Sequence, residues 1–187
     1  MTPFHFVFVQ RGLIEIALLS VGAGLLGPWL VLRGLAFYTH AVGTARVETQ
    51  QAARSAIERL AHEIRYAGRG ARWTDAAIAV AEPSRIVLAS DLDDDGTTSD
   101  RGEQVTWQLV GTVLRRNSGT GAGSQPVING VRVFELRYFD TDGAPTSVVT
   151  DVRTVEIVLV TEPAGPASSL AQGVTTRVST RVRLRNR

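Results

Sequence analysis

Three carboxylates at alternate positions, Asp91, Asp93 and Asp95, followed at once by Gly96, are the residues of this chain best spaced to do chemistry. Oxygen ligands at every second position converge on a hard cation, and the glycine allows the sharp turn such a loop needs. Thr97, Asp100 and Glu103 add oxygen donors downstream, so calcium is the candidate cofactor and these six residues the candidate ligands. The second half departs from the EF-hand pattern: Gly102 stands at the twelfth position with Glu103 one residue late, and no flanking helices are expected. A solvated acidic hairpin loop is the alternative reading. The second chemical feature is Glu15, the single charge in the apolar run Leu13–Leu32. An ionisable group in a bilayer costs on the order of 2.5 to 3.5 kcal/mol at the centre, so a partner for it is expected.

Composition closes off other chemistry. Cysteine is absent, which removes disulfides, thiolate catalysis and cysteine zinc sites together. Lysine is absent too, and every basic residue is arginine. Net charge is only +2, which makes no case for nucleic acid as a partner. His5, His40 and His62 are too dispersed for a histidine metal cluster. There is no nucleophile elbow, and the glycine stretch 119–123 leads into Pro126 rather than a helix, so no enzyme activity is expected. Trp73, Trp107, Tyr66, Tyr138 and Phe139 read as packing residues rather than a stacking platform.

The elements that must position these groups follow from periodicity. Leu13–Leu32 is about twenty residues long, enough at 1.5 Å per residue to cross a hydrocarbon core. A cleaved secretory signal, with a site at Ser20-Val21-Gly22 or Gly22-Ala23-Gly24, is the competing reading. Gly22, Gly24, Gly27 and Pro28 predict a kink or softened turn. Beyond Arg33 the pattern becomes amphipathic, with Val42, Ala45, Thr49, Ala53, Ile57, Leu60, Ile64 and Ala67 on one stripe and Gly68 and Gly70 as the stop. Strands are expected over 77–81, 85–90, 104–110, 112–116, 131–139, 152–161 and 174–184. In the fifth, Val131, Val133, Leu136 and Tyr138 share a face if a bulge falls at Phe134. In the last, Val174, Val178, Val182 and Leu184 point inward and Arg177, Arg181, Arg183 and Arg185 outward. Segments 93–96, 117–123, 129–130, 140–145 and 163–173 are loops by composition.

In their order along the chain, these features resemble the prepilin family: type IV minor pilins, above all the W-type minor pilins, and more distantly the J-type pseudopilins of type II secretion. The resemblance rests on Arg11-Gly12 before an apolar helix bearing Glu15, on Gln50-Gln51-Ala52-Ala53-Arg54, and on the run from Leu60 to Gly68. It continues in the run from Asp91 to Gly96, Val105 to Leu109, Leu114 to Ser118, Gln125-Pro126, Phe134 to Asp140, and Arg181 to Asn186. Glu15 stands third after the glycine, where the family usually has its glutamate fifth.

The resemblance implies an α+β fold: a long N-terminal spine helix, transmembrane in its first half and amphipathic in its second, packed on a pilin-like antiparallel sheet head. The expected divisions are a leader at 1–12, a transmembrane half at 13–37, an amphipathic half at 38–68 and a β-rich head at 69–187. It implies a non-enzymatic minor pilin or pseudopilin, cut by prepilin peptidase between Gly12 and Leu13, with Leu13 then commonly methylated. Glu15 would neutralise the Leu13 amine of an adjacent subunit during assembly. The expected partners are other pilin or pseudopilin subunits through the spine helix, the peptidase, the inner-membrane assembly platform and membrane lipid. The expected location is the bacterial inner membrane, single-pass with the head outside the cytoplasm, and then a filament serving adhesion or secretion. Two rival functions are a membrane-anchored extracytoplasmic binding domain, calcium-dependent through the acidic loop, and a nucleic-acid uptake component using the arginines of the last strand.

Overall fold

The computed structural model describes residues 7–72, 75–163 and 173–186; in the long helix the side chains of 7–10, 12, 17, 22–25, 27 and 41 also lie outside the described set. The first half of the leader, Trp73, most of the expected loop 163–173, and the small residues Gly22, Ala23 and Gly24 therefore fall outside it.

A single helix, α1 (Val7–Tyr66), opens the chain and contains Pro28. Its C-terminal part shows why it folds where it does. Ala53, Ala56, Ile57, Leu60, Ala61 and Ile64 recur at three- and four-residue steps and are all buried, the stripe a core-facing helix requires. Two left-handed glycines, Gly68 (φ +77°) and Gly70 (φ +74°), then end it. The exit is fixed by the far end of the chain: Asn186 Nδ2 donates to the carbonyls of Arg65, Tyr66 and Ala67, which have no partner within the helix.

Eight strands follow: β1 (Ile78–Glu82), β2 (Arg85–Ala89), β3 (Gln104–Val110), β4 (Val113–Asn117), β5 (Ser124–Ile128), β6 (Val131–Phe139), β7 (Thr154–Thr161) and β8 (Thr176–Arg183). All neighbours are antiparallel, and they form two sheets, a five-stranded β1-β2-β3-β4-β5 and a three-stranded β6-β7-β8. The two contribute to one core with α1: Ile86, Trp107 and Leu114 from the first sheet, Val155, Ile157 and Leu159 from the second, and Leu60 and Ile64 from the helix.

This corrects the expected architecture. A pilin-like spine on one small sheet is replaced by a helix packed on two antiparallel sheets of five and three strands. The division has a local cause. Asn129-Gly130, with Gly130 at φ +72°, turns the chain out of β5, and Val131 donates to Thr112 O instead of continuing a hairpin ladder with β5. The β6–β7 register then shifts between Val131 and Val133. That bulge comes earlier than the expected slip at Phe134, and it turns Phe134, Leu136 and Tyr138 inward while Val133 is exposed. β5 occupies a stretch, 124–128, that lies between the expected loops and outside the seven expected strands; its Pro126 is accommodated because β5 is an edge strand.

The transmembrane half expected at 13–37 is corrected as well. Among the described residues no helix is long and apolar enough to cross a membrane. Glu15, Ser20 and Pro28 interrupt the apolar stretch and Arg33 closes it. The single-pass inner-membrane location falls with it. The chain divides into two compact units, Met1–Gly43 and Thr44–Arg187.

Within the second unit, one carboxylate joins helix to sheet. Glu63 accepts from Trp107 Nε1 at 2.5 Å and from Arg116 Nε at 2.8 Å, and Arg59 Nε lies 3.6 Å away. Removing it strands a buried indole N–H and a guanidinium that is only 19% exposed. Glu63→Ala is expected to cost about 2 to 3 kcal/mol in urea denaturation. Glu82→Ala, which removes an exposed pair with Arg85 at 3.9 Å, should stay within about 0.5 kcal/mol of wild type.

Candidate functional site

The acidic loop leaves β2 through Ser90 and returns at Gln104 in β3. Its outgoing end is tied to the α1 exit, Gly68 N donating to Ala89 O at 2.7 Å and Asp91 N to Arg69 O at 2.9 Å, and its two ends to each other, Ser90 N donating to Glu103 O at 3.0 Å. Tightness at this junction demands glycine at position 70. A Cβ there would lie 2.2 Å from Asp91 O, on a backbone whose φ already disfavours a side chain.

Asp91, Asp93 and Asp95 come together as the spacing predicts. Each offers a carboxylate oxygen, all within 4.8 Å of one another, and the cluster could hold a metal ion. Asp91 is 3% exposed. Its Oδ2 accepts from Gly96 N at 2.9 Å, while its Oδ1 is buried with no hydrogen-bond partner among the described residues, a costly state for a carboxylate oxygen unless a cation or water meets it. Asp93 Oδ1 accepts from Asp95 N at 3.3 Å, and Asp95 Oδ1 from Thr97 N at 2.7 Å, successive Asx turns that wind the loop. Asp94 takes the left-handed φ of +61° between them.

The other three expected ligands sit differently. Glu103 is buried, and both its oxygens are occupied: Oε1 accepts from Leu92 N at 2.8 Å and Oε2 from Asp100 N at 3.1 Å. Thr97 Oγ1 donates to Asp100 Oδ2 at 3.2 Å. These three close the loop on itself, beside the aspartate cluster.

Electrostatics within the cluster are uneven. Asp95 is held below the ordinary carboxylate range, first by the Thr97 backbone N–H, then by the Thr97 hydroxyl, with Asp100 and the Arg72 guanidinium adding to it. For Asp93 the hydrogen bond from Asp95 N works the same way, but desolvation and the carboxylates of Asp95, Glu103 and Asp91 outweigh it and raise its pKa. Asp93 in its ionised form is therefore disfavoured in the fold, a cost present above its raised pKa and relieved below it, and a bound cation would offset it.

The residues marked for assembly lie on the first part of α1. Leu13 and Ile14 are exposed, as is Glu15, which makes no ion pair with any described residue. Around them Leu18, Leu19, Val31, Leu32 and Phe37 are exposed, Leu19 by 74% and Phe37 by 78%. Polar side chains of this part of the helix bond back to its own carbonyls, Ser20 Oγ to Ile16 O and Thr39 Oγ1 to Leu35 O, and among the described side chains of 13–19 Glu15 is the one polar group. For Gly12, within the helix, only the backbone is described.

No protein-family model matches the chain, and no curated protein sequence is similar to it.

Two glycines separate steric demand from backbone strain. Gly123 (φ +72°) has open space where its Cβ would stand, whereas Gly70 has Asp91 O. Gly123→Ala should cost about 1 kcal/mol, the strain of a left-handed backbone alone. Gly70→Ala should cost about 2 kcal/mol or more in thermal denaturation, because Asp91 and with it the aspartate cluster must shift.

Proposed function

We propose that this chain is a non-enzymatic assembly subunit of the minor-pilin or pseudopilin kind, cut between Gly12 and Leu13 and joined to other subunits through the first part of α1. The carrying observation is the uncovered apolar surface of that segment, Leu13 to Phe37, on a helix whose later turns are buried in a core of their own. Exposed apolar surface of this extent marks an interaction site. Helices of neighbouring subunits are the occupants suited to a long apolar stripe with small residues interspersed. Glu15 supports the same reading. It is an unpaired carboxylate two residues from Leu13, whose amine would be free after cleavage, and neighbouring subunits would pair the two charges. The two-sheet head carries no weight in this reading, which rests on α1 alone.

Mass spectrometry of the protein from its native host tests it. A mature N-terminus at Leu13 is expected, and an intact Met1 or a cut near Ala23 would overturn it. Glu15→Ala should abolish incorporation into filaments while the head's circular dichroism is unchanged; undiminished incorporation would remove Glu15 from the assembly step.

A specific observation favours a second property of the head. We infer that the cation suited to Asp91, Asp93 and Asp95 is calcium. The donors are all hard oxygens on a loop of irregular, adaptable geometry, which calcium tolerates and magnesium, with its strict octahedron, does not. The unpartnered Oδ1 of buried Asp91 supplies the observation. Isothermal titration of the full chain with calcium chloride should give heat and a raised melting temperature, with magnesium far weaker and Asp91→Ala silent. Binding should weaken as pH falls toward the raised pKa of Asp93, where proton and cation compete for the same oxygens. Absence of both heat and melting shift with calcium would sink this assignment.

A further inference from the structure

The strands of the second sheet turn a separate chemistry outward. In register, Arg137 of β6, Glu156 of β7 and Arg181 of β8 stand side by side in one row, and Phe139, Thr154 and Arg183 in the next. A cleft of about 570 Å³ opens over these rows, bounded on its other side by Pro145, Thr146 and Ser147. That flank is held in place: Thr146 N donates to Tyr138 O at 3.0 Å, and Pro145 bridges to Phe139. None of its lining residues belongs to the acidic loop or to α1.

The guanidinium groups here are oriented before any ligand arrives. Arg181 lies over the Phe139 ring at 4.7 Å and donates through Nε to Glu156 Oε1 at 3.1 Å. Arg137 donates through Nε to Glu135 Oε1 at 2.8 Å, with its Nη1 3.7 Å from Glu156 Oε2. Arg181 is thus held through Nε by one carboxylate and Arg137 through Nε and Nη1 by two, and both side chains remain more than half exposed, with Nη2 of each in no ion pair among the described residues. A fork fixed in this way matches a planar carboxylate in two-point contact. The two glutamates balance these two arginines, and Arg183 in the next row, with no ion pair among the described residues, leaves the neighbourhood net positive.

We infer that this cleft binds an acidic saccharide, taking a ring carboxylate on Arg137 and Arg181. Pro145 supplies an apolar wall for the C–H face of a sugar ring, and the exposed Ser147 and the Thr146 hydroxyl, which already accepts from Val148 N, supply donors for ring hydroxyls. A single-stranded nucleic acid fits less well, because the Phe139 face that would stack a base is already covered by Arg181.

Titration of the full chain with a galacturonic acid trisaccharide tests it, alongside the neutral galactose trisaccharide, inorganic sulfate and an oligothymidylate. The acidic trisaccharide should bind and the neutral one should not, with sulfate competing only weakly. Arg181→Gln should weaken binding about tenfold or more, the loss of a charge-assisted contact. Arg177→Gln, four residues before Arg181 on β8, should change it less than about twofold, since it lies outside the cleft. Equal binding of the neutral sugar, an unaffected Arg181→Gln, equal losses from both variants, sulfate matching the trisaccharide, or tighter binding of the oligothymidylate would each overturn the proposal.

Discussion

The contact of Glu63 with Trp107 and Arg116 is the constraint on which the head depends. Trp107 and Arg116 face each other across the β3–β4 ladder, so both reach the same carboxylate only in this register. Trp107 is fully buried, and its indole N–H has to be met by an acceptor. A slip of one residue would send Trp107 to the opposite face and leave Glu63 against apolar neighbours. Helix docking and sheet register are thereby one event: a largely buried carboxylate is placed where two donors are ready. Tyr138 shows the same logic at the second sheet. Its hydroxyl donates to Glu82 O at 2.8 Å, and burial, with the Glu82 charge adding to it, drives its pKa well above the usual tyrosine value, so it stays a neutral donor joining β6 to the first sheet.

Much of this arrangement is written in local patterns, and the parts that are not share a cause. The α1 stripe through Ala53, Ile57, Leu60 and Ile64, and the alternation of β8, are periodic and emerge as expected, with Val182 and Leu184 buried and Arg181 and Arg183 exposed. β5 is invisible to a local reading because Pro126 argues against a strand; only its position at the sheet edge, a tertiary fact, makes the proline harmless. The division into two sheets is equally non-local, decided where Val131 bonds to Thr112 rather than to β5. Glu63 could not be told from Glu58 or Arg59 on a charged helix face. The only sequence signal for it was indirect, a tryptophan in a strand that would need an acceptor.

The acidic loop was legible in composition but not in division of labour. Alternate aspartates converge as their spacing requires. Glu103, which sequence spacing places near a ligand position, instead receives the backbone N–H groups of Leu92 and Asp100. That use changes what the loop needs from a cation. In a loop wound only by its ligands, metal removal unfolds the loop. Here Glu103, the Asx turns and the ties to Arg69 and Ala89 already hold the backbone, so an ion at the three aspartates would act mainly on their mutual repulsion.

The same separation between scaffold and surface explains how one chain can carry three distinct features without conflict. Alternation in a strand assigns each residue to one face, so β8 gives Val182 to the core and Arg181 to the outer cleft independently. The helix achieves the equivalent along its length rather than around it. Its later turns are committed to the core through Leu60 and Ile64, while the turns from Leu13 to Phe37 keep their apolar side chains exposed. Among the described residues of α1, the buried ones begin at Ala45. An apolar segment outside that core is available for the proposed association, and Glu15, the one carboxylate between Leu13 and Phe37, sets the condition that an associating surface has to bring a positive group to it.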